Sequence, residues 1–137
     1  MDKILRKKKG FTLIEIIIVL VIIAILAAAT VPAMIGFVND ARSKAYVAEA
    51  RLGLVAAQAV VTEVVASGGT TPTSAEILAN AAFDNMTKEV SGTFSNIKVG
   101  ANERVTEIVY TSTNGYWVSI INGKTETGKG TYTPPAA

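Results

Sequence analysis

Cysteine and histidine are both absent from the 137 residues of this chain. Without cysteine, neither a disulfide framework nor thiol chemistry is available. Without histidine, the Ser-His-Asp triad and the common zinc sites are excluded as well. Carboxylates remain, but no pair of acidic residues has a spacing that suggests catalysis or metal binding. The sequence therefore predicts no enzyme activity, no metal site and no cofactor.

Positive charge is scarce beyond the first ten residues. Residues 1–10 carry five basic side chains and one acidic one, whereas residues 11–137 carry eight basic and ten acidic side chains. This distribution does not support a nucleic-acid-binding surface, because the excess of positive charge is confined to the N-terminal segment. Apolar residues, in contrast, are concentrated in the first 66 positions.

The longest apolar run extends from Phe11 to Val31 and contains one charged residue, Glu15. A bilayer core is crossed by roughly 20 helical residues, so the length of this run predicts one membrane-spanning helix that begins at Phe11. Basic residues flank the run on its N-terminal side only. The positive-inside rule therefore places residues 1–10 in the cytoplasm and residues 32–137 outside.

Two ordinary interpretations fit a basic segment followed by an apolar one. The first is a cleaved secretory signal peptide, which predicts a mature chain that starts near Thr30. The second is an uncleaved signal anchor. Glu15 argues against both, because a carboxylate within a membrane span costs up to ~3 kcal/mol and is rare without a role.

The segment from Lys8 to Glu15, which reads KKGFTLIE, resembles the processing site of type IV pilins and pseudopilins. That motif is a basic leader ending in glycine, then usually phenylalanine, with glutamate at the fifth mature position and a long apolar helix. The resemblance covers residues 7–32 and is only architectural beyond them. It implies that a membrane-embedded prepilin peptidase cuts between Gly10 and Phe11 and then methylates the new amino group of Phe11.

Glu15 and Phe11 are the candidate assembly residues. Cleavage would create an ammonium group on Phe11, one helical turn before Glu15, and a positive partner lowers the cost of a carboxylate in hydrocarbon. The partner is either the ammonium of the same chain or that of a neighbouring subunit. The family precedent is the neighbouring subunit, where the pair sets the axial register of a filament. The sequence leaves both partners open.

Three segments follow from these observations. Residues 1–10 are the cleaved leader, residues 11–37 the transmembrane or filament-core part of the helix, and residues 38–137 the extracytoplasmic head. Pro32 and Gly36 predict either a kink in one long helix or the end of the helix at the membrane surface. The kink is the preferred interpretation, since pilins commonly carry proline here.

The head is predicted to be α+β, with the long helix packed on a small antiparallel sheet of three to four strands. Apolar residues recur at helical spacing in 38–66 and are expected to face the sheet: Ala41, Ala45, Ala48, Leu52, Val55 and Ala59. Thr73 and Glu76 form a capping-box pattern before a short helix over about 75–82. Strand patterns cover 94–99, 105–111 and 116–121, with 124–127 a weak fourth strand. Residues 128–137 are expected to be a loose, exposed tail.

The resemblance implies a structural subunit of a type IV pilus. Its partners would be copies of itself, minor pilins, the prepilin peptidase, a membrane assembly platform and a cytoplasmic assembly ATPase. The protein would first be a single-pass protein of the cytoplasmic membrane and then part of an extracellular filament. Two alternatives are a pseudopilin of a secretion or DNA-uptake system and a monomeric membrane-anchored binding domain. Many Gram-negative pilins close a C-terminal loop with a cysteine pair, and this chain lacks one.

Overall fold

A computed structural model describes residues 10–135 of the chain. The long helix and the four-stranded antiparallel sheet confirm the predicted α+β fold. The chain divides into two compact units, Met1–Asp40 and Ala41–Ala137. The helices are α1 (Leu13–Ala66), α2 (Ser74–Leu78) and α3 (Ala81–Thr87), and the strands are β1 (Thr93–Val99), β2 (Val105–Thr111), β3 (Tyr116–Ile121) and β4 (Lys124–Lys129).

In the first unit, the described residues are dominated by the apolar part of α1. Every large apolar side chain from Leu13 to Val38 is between 43% and 81% exposed. This part of α1 contains a window with a mean hydropathy of 3.0, which is long and apolar enough to cross a membrane. An exposed apolar surface of this size requires lipid or other protein around it. Pro32 and Gly36 both lie inside α1, so the helix does not end at the proline. The kink itself stays a prediction.

In the second unit, α1 packs on one face of the sheet. Its buried residues are small or β-branched: Ala50, Gly53, Ala56, Ala57, Val60 and Val61. They join a core formed with Ile77, Phe83, Ile97, Ile108, Tyr110, Val118 and Ile120. The sheet is a meander of order β1-β2-β3-β4, with every neighbouring pair antiparallel.

The prediction of which face of α1 meets the sheet is wrong. The six residues expected to face the sheet are all exposed, and we call them the outer stripe: Ala41, Ala45, Ala48, Leu52, Val55 and Ala59. The opposite face of the helix is equally apolar, and it carries Gly53. A β-carbon on Gly53 would lie within 2.7 Å of three ring carbons of Phe94. Gly53 faces the sheet because the ring of Phe94 occupies the space that a side chain at this position would fill.

Polar side chains also join α1 to the sheet. Gln58 donates a hydrogen bond from Nε2 to the carbonyl oxygen of Glu103 at 2.9 Å and accepts one from the amide of Val105 at 2.8 Å. The Tyr110 hydroxyl donates a hydrogen bond to the Glu49 carboxylate. These contacts satisfy backbone and side-chain groups that burial would otherwise leave without partners.

The connection from α1 to the sheet contains two short helices where one was predicted over 75–82. Thr73 caps α2 in a full capping box with Glu76, as its pattern predicted. Asn80 then caps α3 through its side-chain oxygen, which accepts from the amide of Ala82 at 2.8 Å. The cap at Asn80 starts a new helix and splits the predicted one.

The prediction of a weak fourth strand is confirmed, and β4 is longer than expected. Asn122 and Gly123 form the turn into β4 with positive φ values of 49° and 81°. That backbone is the type I′ hairpin geometry that Asn-Gly favours. β4 continues to Lys129, two residues beyond the predicted end.

The C-terminal tail is not simply loose and exposed. Trp117 pairs with Gly128 across the sheet, and its ring occupies the space above that glycine. Tyr132 then packs against Trp117 edge-on, with ring centroids 5.0 Å apart. The aromatic pair holds the chain after β4 against the face of the sheet that is turned away from α1. Residues 136–137 lie outside the described residues.

Candidate functional site

The start of α1 is a capping box built from Thr12 and Glu15. The Glu15 amide donates to Oγ1 of Thr12 at 3.3 Å. In return, Oε2 of Glu15 accepts from the backbone amide of Thr12 at 2.7 Å and from its hydroxyl at 2.8 Å. Thr12 also accepts the first helical hydrogen bond, from the amide of Ile16. The helix therefore begins at Leu13, two residues later than predicted, because Thr12 takes the N-cap position.

The same arrangement recurs at α2, which gives an internal comparison. Between Thr73 and Glu76 the three corresponding distances are 3.4, 2.7 and 2.8 Å. There the backbone amide and then the hydroxyl of Thr73 hold the pKa of the Glu76 carboxyl below its usual value. Both boxes place a carboxylate at the positive end of a helix dipole, which favours its ionised form.

The predicted processing bond lies just outside the helix. Gly10 and Phe11 are both exposed and non-helical, and Phe11 is 84% exposed. A β-carbon on Gly10 would meet no heavy atom within 4 Å. An exposed, irregular segment next to a glycine is the backbone that a peptidase can take up in extended form.

The two partners predicted for Glu15 need an ammonium group on Phe11. In the unprocessed chain the nitrogen of Phe11 is an amide, so no ammonium is present there. Instead, Thr12 supplies the hydrogen bonds, and both of them end on the same oxygen of Glu15. The Glu15 carboxylate is thus held at the start of the helix by Thr12, which directly follows Phe11, the predicted first residue of the processed chain.

The other predicted residues lie further along α1. Pro32 and Gly36 are separated from Glu15 by four or more helical turns and do not contact it. Thr12 is the residue that the sequence interpretation missed. The signal was present, since Thr12-x-x-Glu15 has the same T-x-x-E form as the box recognised at Thr73.

Comparison with known proteins identifies this N-terminal segment. Residues 5–31 match the family model of the prokaryotic N-terminal methylation motif. This motif is the class III signal peptide of type IV pilins and pseudopilins, and it supports a type IV pilin-like or pseudopilin protein. No curated protein and no solved structure matches the chain. The motif implies processing by a prepilin peptidase and polymerisation with other pilins.

Proposed function

We propose that this chain is a structural subunit of a type IV pilus, cut between Gly10 and Phe11, methylated on Phe11 and polymerised through α1. The observation that carries the proposal is the match of residues 5–31 to the methylation motif. The chain is not an enzyme in this proposal. It needs the prepilin peptidase, an assembly platform and an assembly ATPase as partners, with minor pilins in the same filament.

The geometry at the N-terminus supports this role. An ionised carboxylate in an apolar helix is costly unless hydrogen bonds or a positive group compensate it. Thr12 compensates Glu15 within one chain, so the subunit can reside in the bilayer before assembly. After cleavage, the ammonium on Phe11 of the same or of a neighbouring chain becomes available to that carboxylate.

The exposed apolar side chains of α1 support polymerisation as well. Between Leu13 and Val38 the helix offers an uninterrupted apolar surface with a single charge at Glu15. Copies packed through such surfaces would have little to fix their axial register. One charge pair distinguishes the correct register from its neighbours, because a shifted register leaves the carboxylate unpaired.

Mass spectrometry of the mature N-terminus tests the processing step. The expected result is a chain that begins with N-methylated Phe11. An intact Met1 would be consistent with a membrane anchor but would refute processing. A start near Thr30 would show that the segment is a secretory signal peptide instead.

The substitution Glu15→Ala tests the assembly step. We expect normal cleavage and membrane insertion but few or no surface filaments, because the register-setting carboxylate is lost. Glu76→Ala is the matched control, since it removes the corresponding carboxylate of the second capping box without touching α1. Counting filaments by electron microscopy and following Phe11 methylation separates the two steps. Normal filaments in Glu15→Ala would refute the register-setting role of Glu15, and a native chain that forms no filaments would favour the monomeric membrane-anchored alternative.

A further inference from the structure

The β2–β3 turn and the β3–β4 turn each contain an asparagine followed by glycine, Asn114-Gly115 and Asn122-Gly123. Asparagine is a chemically labile residue. Its side-chain carbonyl carbon can be attacked by the backbone nitrogen of the next residue, without an enzyme. Glycine in that position favours the attack, because it has no side chain and reaches backbone angles that other residues do not. The two sites have the same reacting residues, so the fold must distinguish them.

Hydrogen bonds hold the reacting groups of the β2–β3 turn. The amide of Gly115, which would be the nucleophile, donates to the carbonyl oxygen of Ser112 at 3.0 Å. The side chain of Asn114 donates from Nδ2 to the Tyr46 hydroxyl at 3.2 Å. Gly115 is also half-buried, and its carbonyl oxygen accepts from the amide of Gly130 at 2.8 Å. Attack at Asn114 therefore requires several hydrogen bonds to break together.

The β3–β4 turn leaves the corresponding groups accessible. Asn122 and Gly123 are both exposed, and the Asn122 side chain borders two surface grooves. Within residues 10–135, the Gly123 amide donates no backbone hydrogen bond. The amide of Asn122 donates to the carbonyl oxygen of Thr106 at 2.7 Å, but this amide takes no part in the attack. Because β4 is an edge strand, the turn can open without separating a second pair of strands.

We propose that Asn122 is a site of spontaneous deamidation in the folded chain, and that the hydrogen bonds of the β2–β3 turn, including the one to Tyr46, protect Asn114. The nitrogen of Gly123 loses its proton to water or hydroxide and bonds to Cγ of Asn122. The bond from Cγ to Nδ2 breaks, and Nδ2 takes up a proton and leaves as ammonia. Water then opens the resulting succinimide ring at either carbonyl carbon, which gives aspartate or isoaspartate. Water is the only co-reactant, and nothing is oxidised or reduced.

Deamidation would change the β3–β4 turn in two ways. A carboxylate replaces the neutral amide beside a groove that Asn122 shares with Arg104. In the isoaspartate product, the backbone also runs through the former side chain and is longer by one methylene group. Because turn type and loop length fix the register of a hairpin, the longer turn is expected to weaken the pairing of Ile121 with Lys124. This inference does not depend on the proposed function, since the reaction occurs within one folded chain.

Peptide mapping of the aged full chain tests the proposal. The chain is kept folded in mild detergent at mildly alkaline pH, sampled over time, then unfolded and cut with trypsin after Arg104 and Lys124. A single peptide, residues 105–124, then carries both asparagines. Electron-based fragmentation assigns the mass gain of deamidation to one of them and separates isoaspartate from aspartate. We expect Asn122 to convert at least roughly tenfold faster than Asn114, because several hydrogen bonds protect Asn114 and each contributes a factor of about two to ten.

Two controls separate the effect of the fold from that of the local sequence. In denaturant, where neither turn persists, the two asparagines are expected to convert at similar rates. Tyr46→Phe removes the partner of the Asn114 side chain and is expected to speed conversion there roughly twofold or more. Tyr116→Phe is the matched control, since it removes the hydroxyl of the adjacent ring and should leave both rates unchanged. Fluorescence of Trp117 reports whether each variant is folded.

The rates in the folded chain decide between the outcomes. Equal conversion of the two asparagines, or faster conversion of Asn114, would overturn the proposal. A preference for Asn122 that is equally strong in denaturant would overturn it as well, because the local sequence would then be its cause. An unchanged rate at Asn114 in Tyr46→Phe would refute the protection assigned to that hydrogen bond.

Discussion

Gly53 gives the ring of Phe94 room against α1, and replacing this glycine with alanine tests how tightly helix and sheet are packed. The new methyl group would fall within 2.7 Å of three ring carbons. The ring cannot simply move aside, because Phe83 and Tyr110 lie 5.5 and 5.4 Å from its centroid. Overpacking of this kind costs about 1–3 kcal/mol. Alanine regains about 1 kcal/mol through its higher helix propensity.

Because the nearest ring carbon would lie only 2.1 Å away, we expect a steric cost in the upper part of this range, about 2–3 kcal/mol. After the gain in helix propensity, the expected net loss in the free energy of unfolding of Gly53→Ala is about 1–2 kcal/mol. For a unit of this size the midpoint of thermal unfolding would fall by roughly 4–16 °C. The assay is thermal unfolding of the full chain in mild detergent, followed by fluorescence of Trp117. This residue is the single tryptophan of the chain and lies in β3.

Gly36→Ala is the matched control for this prediction. It lies in the same helix, and a β-carbon there would meet no heavy atom within 4 Å. We expect its unfolding midpoint to equal or slightly exceed that of the native chain. A Gly53→Ala variant as stable as the native chain would refute the packing argument. So would an equal loss in both variants, because that loss could not come from Phe94.

Three further predictions concern Tyr110, Tyr132 and Thr12. Burial and the hydrogen bond to Glu49 raise the pKa of Tyr110. The stabilisation that Tyr110 provides is therefore complete below the unfolded pKa of about 10 and is lost as the pH rises further. The free energy of unfolding of the native chain should fall more steeply above pH ~10 than that of Tyr110→Phe. An equal pH dependence in the two proteins would contradict this prediction. Tyr132→Ala should shift Trp117 emission to the red and speed proteolysis of the tail, whereas Tyr132→Phe should not; equal spectra would refute the aromatic contact. Thr12→Val should increase hydrogen exchange in the first turn of α1, and Thr12→Ser should not. Equal exchange in both variants would show that the Thr12 hydroxyl does not stabilise the start of the helix.

The sequence was sufficient where a short pattern determines local geometry. Thr73 with Glu76 predicted a capping box, because this pattern supplies its hydrogen bonds on its own. The N-terminal motif around Glu15 is of the same kind, since all of its elements are adjacent in the chain. For this site, the cap at Thr12 was equally available and was missed.

The orientation of α1 was not predictable in this way. Both faces of the helix after residue 40 carry small apolar residues, so helical periodicity alone gives two equivalent answers. The choice depends on Phe94, whose ring occupies the space that a side chain at Gly53 would need, and these residues are 41 positions apart. The tail was missed for a similar reason. Glycine disfavours strands, so the strand was predicted to end before Gly128. In the structure Gly128 pairs with Trp117, whose ring covers it.

The contact between Tyr132 and Trp117 limits how this chain can be engineered. A peptide joined directly after Tyr132 would follow a side chain that packs on Trp117, and its bulk would compete with that packing. The β2–β3 turn at Thr113 and Asn114 is exposed and lies between two strands that are already paired. An epitope or reporter inserted in that turn avoids the segment around Tyr132, but it must preserve the hydrogen bonds from Asn114 to Tyr46 and from the Gly130 amide to the carbonyl oxygen of Gly115.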